Sequence, residues 1–346
     1  MTTRKGGFTL VELCMAMASV IVVLFAACQM LLASTRDFYF NEGQINLSNK
    51  ISAMNRKVES EFVLSGGNFL PPWLSMKVEN DCGPRIGLPD CNHSDRLSIA
   101  TSLYDPVSFA FFPTPSVASY DKVNSLVYIT FALPQLPCPV DNTLVHQHIL
   151  MTNAMQTEVF ALWTLSLDLQ TCVFTVAPDV QGTILNSANF LNANYASGAI
   201  SFVRHRTYFF DSENFILKYL EHTTNNPAFL ATELHDLMRE VYDFQAALGY
   251  DTLPHNGVID DRGTSSDEIL FNAPGDNLAT LGGVGAVATD LRQLLVAIII
   301  GETIKGGSLL AANTLQNFDG PNVQIPNVNL QSLERKIFFR NSMAYY

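Results

Sequence analysis

From Phe8 to Leu32 the chain carries one charge, Glu12, and one strong amide, Gln29; almost every other residue is Leu, Val, Ile, Met, Ala, Cys or Phe. About 25 residues at about 1.5 Å each make about 37 Å of helix, enough to cross roughly 30 Å of hydrocarbon with some tilt. This stretch therefore predicts a membrane-spanning helix, and everything after it must be arranged around that helix. A secretory signal peptide is built differently, with small residues after a shorter apolar run. Here the small residues, Gly6 and Gly7, come before the run, directly after Arg4 and Lys5. A cut after Gly7 leaves the apolar segment on the mature chain. The two cations predict an N-terminus in the cytoplasm, because positive flanks stay inside.

Glu12 is the exception in the apolar run. A carboxylate near one end of a spanning helix is costly in lipid and usually has a partner or a task; the plain alternative is solvation at the headgroup level. A cut after Gly7 exposes a new amine on Phe8, four residues before Glu12. In a helical stack of subunits, that amine on a neighbour can neutralise Glu12. The stretch Lys5-Gly6-Gly7-Phe8-Thr9-Leu10-Val11-Glu12-Leu13 resembles the leader of the type IV pilin family: a short basic leader ending in Gly, then Phe-Thr-Leu-Val-Glu and an apolar helix. The resemblance implies cleavage between Gly7 and Phe8 by prepilin peptidase, N-methylation of Phe8, and a role for Glu12 in docking the subunit into a pilus. It also implies a bacterial inner-membrane precursor, single-pass, with its head in the periplasm and a place in the pilus after assembly.

The chain has 346 residues, enough after a membrane helix for one large or two small globular units. It holds 20 Lys and Arg against 32 Asp and Glu, and losing Arg4 and Lys5 takes the net charge from −12 to −14. That balance, with no basic run interleaved with aromatics, argues against nucleic acid as a partner. Of the six cysteines, Cys14 and Cys28 sit in the apolar run and read as small hydrophobes. Cys82, Cys91, Cys138 and Cys172 lie in the part placed outside the cytoplasm, where disulfides are permitted. Four cysteines allow three pairings. The short Gly-, Pro- and Asn-rich loop between Cys82 and Cys91 favours that pair, leaving Cys138 with Cys172. A metal reading on Cys82, Cys91 and His93 lacks the paired spacing of zinc sites.

Past the membrane, Leu47, Ile51, Met54, Val58 and Phe62 recur at three- and four-residue steps, so the helix is expected to continue to about Leu64 with one apolar stripe. Ser65-Gly66-Gly67 and Pro71-Pro72 end it. The expected division is a leader over 1–7, a spanning helix over 8–35, its amphipathic continuation over 36–66, and a β-rich head over 67–346. Residues 68–95 read as loop. Strand signals follow at Leu97–Thr101, Ser125–Leu133, His148–Met151, Glu158–Leu167, Cys172–Val176, Gly198–Val203, Arg206–Phe210 and Phe215–Leu220. Asp211-Ser212-Glu213-Asn214 reads as a hairpin turn. Ala231–Ala247 has helical spacing mixed with β-formers, and Asp251–Asn277 reads as a surface loop. Leu291–Ile300 is too short to span a membrane and reads as a buried strand; Lys336–Arg340 reads as a last strand. The sum is an α+β fold: a long helix packed on about ten mostly antiparallel strands.

A second resemblance lies downstream. Val241-Tyr242-Asp243-Phe244-Gln245, then Leu248-Gly249-Tyr250-Asp251, is similar to a phrase of the PilW-like minor pilins, with Leu248 where that family has Tyr. Thr289-Asp290-Leu291-Arg292 into Val296–Ile300, and the tail from Arg335 to Ala344, are similar to that family's following strand and closing phrase. The resemblance covers the first 35 residues and roughly 200–346. Residues 68–197 match nothing in it and are expected to be an insertion with its own surface.

Enzyme motifs are missing: there is no Gly-x-Ser-x-Gly elbow and no phosphate loop ending in Gly-Lys-Ser/Thr. Gly282-Gly283-Val284-Gly285 lacks dinucleotide spacing. His146 and His148 could share one side of a strand, but two ligands make a weak metal site. Asp251, Asn256, Asp260 and Asp261 form an oxygen-rich loop that could take calcium, yet an EF-hand register puts Thr252 and Pro254 at ligand positions, so a solvated loop is the better reading. The expectation is a non-catalytic subunit without metal or cofactor. Its partners are other pilins and minor pilins, prepilin peptidase and the inner membrane. A type II secretion pseudopilin or a pilus-tip adhesin is the alternative.

Overall fold

A computed structural model describes residues 9–62, 76–79, 82, 91, 93–102, 104–105, 110–111, 117–123, 126–131, 148–152, 159–168, 173–178, 200–222, 234–251, 267–270, 291–303, 314–317, 320–326 and 328–338. The architecture is α+β: one long N-terminal helix, α1 (Leu10–Phe62), and antiparallel sheets. The helix is unbroken across the expected boundary at residue 35. Its first part is exposed on all sides. From Gly43 onward it docks, burying Leu47, Met54, Val58 and Phe62 with Ile51 half-buried. That is the stripe expected from the spacing. Each such side chain, fully buried, contributes roughly 1.5–3 kcal/mol.

Two sheets receive the stripe. The first is built around β10 (Ile200–Asp211), a single strand where two were expected. On one edge β10 pairs with β2 (Arg96–Ser102), which pairs with β1 (Met76–Glu79). So a strand lies inside 68–95, where loop was expected; four residues among Pro, Gly and Asn carry too little alternation to be read. The other edge of β10 is shared. Phe210, Tyr208 and their neighbours from His205 pair with β11 (Ile216–His222), while Ile200–Val203 pair with β7 (His148–Thr152). From β7 the sheet continues as a wing through β8 (Val159–Asp168), β9 (Val173–Pro178), β6 (Leu126–Phe131) and β5 (Val117–Val123). The wing strands lie consecutively in sequence, within the segment expected to be an insertion. A two-residue pair, β3 (Tyr104–Asp105) with β4 (Ala110–Phe111), precedes them.

The second sheet has the order β14 (Asp267–Leu270), β13 (Val241–Asp251), β15 (Leu291–Thr303), β18 (Val328–Phe338). The chain enters it from β12 (Leu234–Arg239), which pairs with β11. Glu240 marks the change of sheet, with φ of 59°. The helical spacing of Ala231–Ala247 therefore corresponds to two strands. Lys218 pairs with Asp236 and Leu217 with Met238, so Leu237 is an extra residue. This bulge half-buries Leu237 and Met238 side by side and mimics a helical repeat.

In β15, Leu294, Val296, Ile298 and Ile300 face the α1 core together with Phe244, Ala246 and Leu248 of β13. Ile299 faces the other way, onto Val323, Val328 and Leu330, beside the short hairpin of β16 (Thr314–Leu315) and β17 (Val323–Gln324). Cover on both faces explains the continuous apolar run. Strand β18 begins eight residues before the expected Lys336, and β5 and β14 lie where no strand is expected.

Candidate functional site

At its start, α1 is closed by a reciprocal cap. Thr9 precedes the first helical residue, and its Oγ1 accepts the N–H of Glu12 at 3.3 Å. Glu12 Oε2 in turn accepts the N–H of Thr9 at 2.9 Å and the Thr9 hydroxyl at 3.0 Å. This capping box satisfies backbone donors that the helix itself cannot. Glu12 thus has a local task that sequence position alone did not reveal, although a Thr-x-x-Glu phrase signals it. Gly7 and Phe8, the expected cleavage pair, lie outside the described residues. Between Leu10 and Leu32 the side chains are exposed, including Val22, Val23 and Phe25 at 65–68%. The helix is long and apolar enough to cross a membrane.

Where α1 meets the head, Lys50 joins three elements. Its ammonium donates to Glu240 at the change of sheet and to Glu302 near the end of β15, and reaches the Gly301 carbonyl at 3.4 Å. One turn earlier, Asn46 donates to Glu302 at 3.4 Å. Partial burial opposes the Lys50 charge, but the two carboxylates outweigh it and raise its pKa above the ordinary lysine range. Further along, Arg335 of β18 donates to Asn55 at 2.6 Å.

A second polar centre lies behind β13, on the face away from α1. Asp243 is fully buried. Its Oδ1 accepts Ser94 Oγ at 2.7 Å and Gln245 Nε2 at 2.9 Å; its Oδ2 accepts Asn317 Nδ2 at 3.0 Å. Ser332 donates to Asn317 Oδ1 at 2.6 Å. Burial pushes the Asp243 carboxyl above the usual carboxylate range, opposed by these donors. Gly320 makes the approach feasible, since a Cβ there would fall 2.6 Å from both Asp243 Oδ2 and Gln245 Nε2. Asp95 extends the centre by accepting the Ala246 N–H at 2.8 Å and donating its own N–H to the Phe244 carbonyl at 2.9 Å. The Asp-Phe-Gln phrase is therefore a structural bolt: Phe244 faces the helix, while Asp243 and Gln245 hold two covering segments.

One of those segments is clipped by a disulfide between Cys82 and Cys91, the favoured pairing. Cys91 donates its N–H to the Cys82 carbonyl at 3.2 Å, and Ser94 to the Cys91 carbonyl at 3.1 Å, which aims Ser94 at Asp243. Beside it, buried Arg96 pairs with Glu79 at 3.0 Å. Cys138 and Cys172 lie outside the described residues, as does His146; His148 opens β7.

Of the oxygen-rich set, Asp251 is buried at the end of β13, 4.0 Å from Arg292 Nε, and pairs with Asp267 at the start of β14. The expected surface loop, Asp251–Asn277, thus begins in sheet and carries a strand within it, because β13 and β14 extend the ladder into it. Asn256, Asp260 and Asp261 lie outside the described residues. Among the described residues, no group of three His, Cys, Asp or Glu is placed to hold a metal. Neither a scan against protein-family models nor a search of curated proteins finds a match for this chain.

Proposed function

We propose that the chain is a minor pilin of a type IV pilus, a non-catalytic subunit made as an inner-membrane precursor and built into the fibre. Prepilin peptidase removes Met1–Gly7, and the apolar half of α1 then moves from lipid into contact with the helices of other pilins. That exchange needs no large hydrophobic driving force, because helix association inside an apolar medium rests on packing and polar contacts. The observation that carries the reading is the union of a pilin-type leader with a helix whose first half is wholly exposed and apolar and whose second half docks on an antiparallel head.

Glu12 has two tasks in this account: capping α1, and pairing with the Phe8 amine of a neighbouring subunit. Two substitutions separate them. Gln can close a capping box as Glu does, so Glu12→Gln keeps the cap and removes the charge, while Glu12→Ala removes both. Both variants are expected in the membrane fraction and absent from sheared pili. Normal recovery of both in sheared pili contradicts the proposal; recovery of the Gln variant alone assigns Glu12 to capping only. The wing from β5 to β9 supports a second reading, a tip subunit that attaches to a surface. Deleting the wing should then leave piliation intact and abolish attachment.

A further inference from the structure

We propose that His148, His205 and His222 hold one divalent ion of the zinc class where the wing joins the head. This departs from the metal-free subunit expected from the sequence and does not rest on the pilus reading. Strand β10 is shared at this point. On one edge His205 pairs with His222, the last residue of β11; two residues earlier, Val203 pairs with His148, the first residue of β7. Residues paired across an antiparallel ladder lie on one face, and so do residues two apart along a strand. The register against β2 runs unbroken from Val203 to Phe209, so the three histidines share a face. The described side chains hold no metal group of three; this trio is placed by backbone register.

The neighbouring rungs show which face it is. Arg206 and Glu221, the next rung of the ladder, pair at 3.0 Å, and Arg206 lies over the ring of Tyr219, on the side of α1. The rung after that, Thr207 with Leu220, belongs to the opposite side: Leu220 is buried with Cys82 and Cys91, and Thr207 shares a hydrogen bond with Ser98 at 2.9 Å. Alternation puts the histidines on this second side, away from α1.

Their footprint suits one ion. His205 and His222, directly opposite, are about 5 Å apart at Cβ; His148 is about 7 Å from His222 along the same line and about 8 Å from His205 on the diagonal. Three imidazoles so spaced can meet one ion at about 2 Å and leave a fourth position open. Ala100, Ser102, Val203, Thr207, Leu220 and Trp163 adjoin them in the register. None of these is charged, so none supplies an ammonium to compete with the ion or a carboxylate to claim an imidazole. Nitrogen ligands select zinc or copper over magnesium or calcium. The ion would act as a clasp. Four register pairs, Ile200–Val203 with His148–Met151, join the wing to β10, and β11 pairs with β10 and β12 but not with β7. Ligands from β7, β10 and β11 tie the wing to a head strand it does not otherwise pair with.

To test this, the full chain is purified in detergent, stripped of metal with EDTA and titrated with Zn2+ against a fluorescent zinc chelator. One equivalent should bind ahead of all others. His148→Ala, His205→Ala and His222→Ala should each weaken it by more than about a hundredfold, beyond what loss of an outer partner causes. His235→Ala and His255→Ala should leave it unchanged. No preferred equivalent, or one that survives the three substitutions, overturns the site. A second reading keeps the histidines intact, so it does not depend on variants that fold. With Trp73→Phe, Trp163 is the remaining tryptophan, paired with His148 in the ladder. The first equivalent of Cu2+ should quench most of its emission; unchanged emission overturns the site. Zinc at about ten times its Kd makes an opened wing about tenfold rarer, so added protease should cut between residues 103 and 199 about tenfold more slowly. An unchanged rate overturns the clasp.

Discussion

The two halves of α1 have opposite relations to the rest of the chain. Residues from Leu47 to Phe62 place apolar side chains on one stripe, and this chain's own sheets cover them. Residues from Leu10 to Leu32 are apolar on nearly every side, Glu12 and Gln29 apart, and no described residue of the head covers them. A one-sided stripe is satisfied within a fold; an all-round apolar surface needs lipid or other chains. The docked half should therefore govern head stability and the free half should govern location and assembly, with little cross-talk.

The sharpest way to break this division is to cut a large side chain from each half. Phe62→Ala empties a site where the ring meets Tyr208 edge-on at 4.9 Å and should cost about 3–5 kcal/mol by thermal or denaturant unfolding. Leu24→Ala in the free half should leave head unfolding unchanged. Asp243→Ala follows in size: it strands the donors from Ser94, Gln245 and Asn317 and should cost about 3 kcal/mol. The sign of its pH dependence is also fixed. The folded carboxyl holds its proton more tightly than the unfolded one, so its contribution is greatest below the unfolded pKa and is lost as pH rises through the folded value. Asp243→Asn should remove that component of the stability-versus-pH curve.

Opening the disulfide with Cys82→Ser and Cys91→Ser should cost about 2.5 kcal/mol, from a closed loop of about ten residues. Lys50→Met tests the joint between the halves, leaving Glu240 and Glu302 facing each other without their cation, for about 2 kcal/mol. The Lys50 pKa is raised in the fold, so its contribution is complete at neutral pH and is lost only as pH rises through that value. The smallest effect belongs to the free half. Glu12→Ala loses the capping box and should only fray the helix start, with no shift in head unfolding.

Much of this was legible because periodicity survives in the folded chain. The stripe from Leu47 to Phe62 announces itself by spacing, the hairpin turn that follows Asp211 by its polar turn residues, and the strand buried from Gln293 to Ile300 by its continuous apolar run. What stayed hidden depends on contacts far apart in sequence. Leu237 and Met238 look helical because a bulge puts both partly inside. Asp243 and Gln245 look like surface residues because what covers them comes from residues 93–95 and from Asn317 and Gly320. The Lys50 joint draws on three elements, and no local pattern marks it. Glu12 was legible as an oddity, while its bond to Thr9 needed only the Thr-x-x-Glu spacing to be seen.

The account depends on the apolar half of α1 surviving processing. Mass spectrometry of the mature N-terminus tests this most directly. The expected result is a chain beginning at methylated Phe8, with the leader to Gly7 removed. A mature chain beginning beyond Leu32, with no apolar stem, contradicts it.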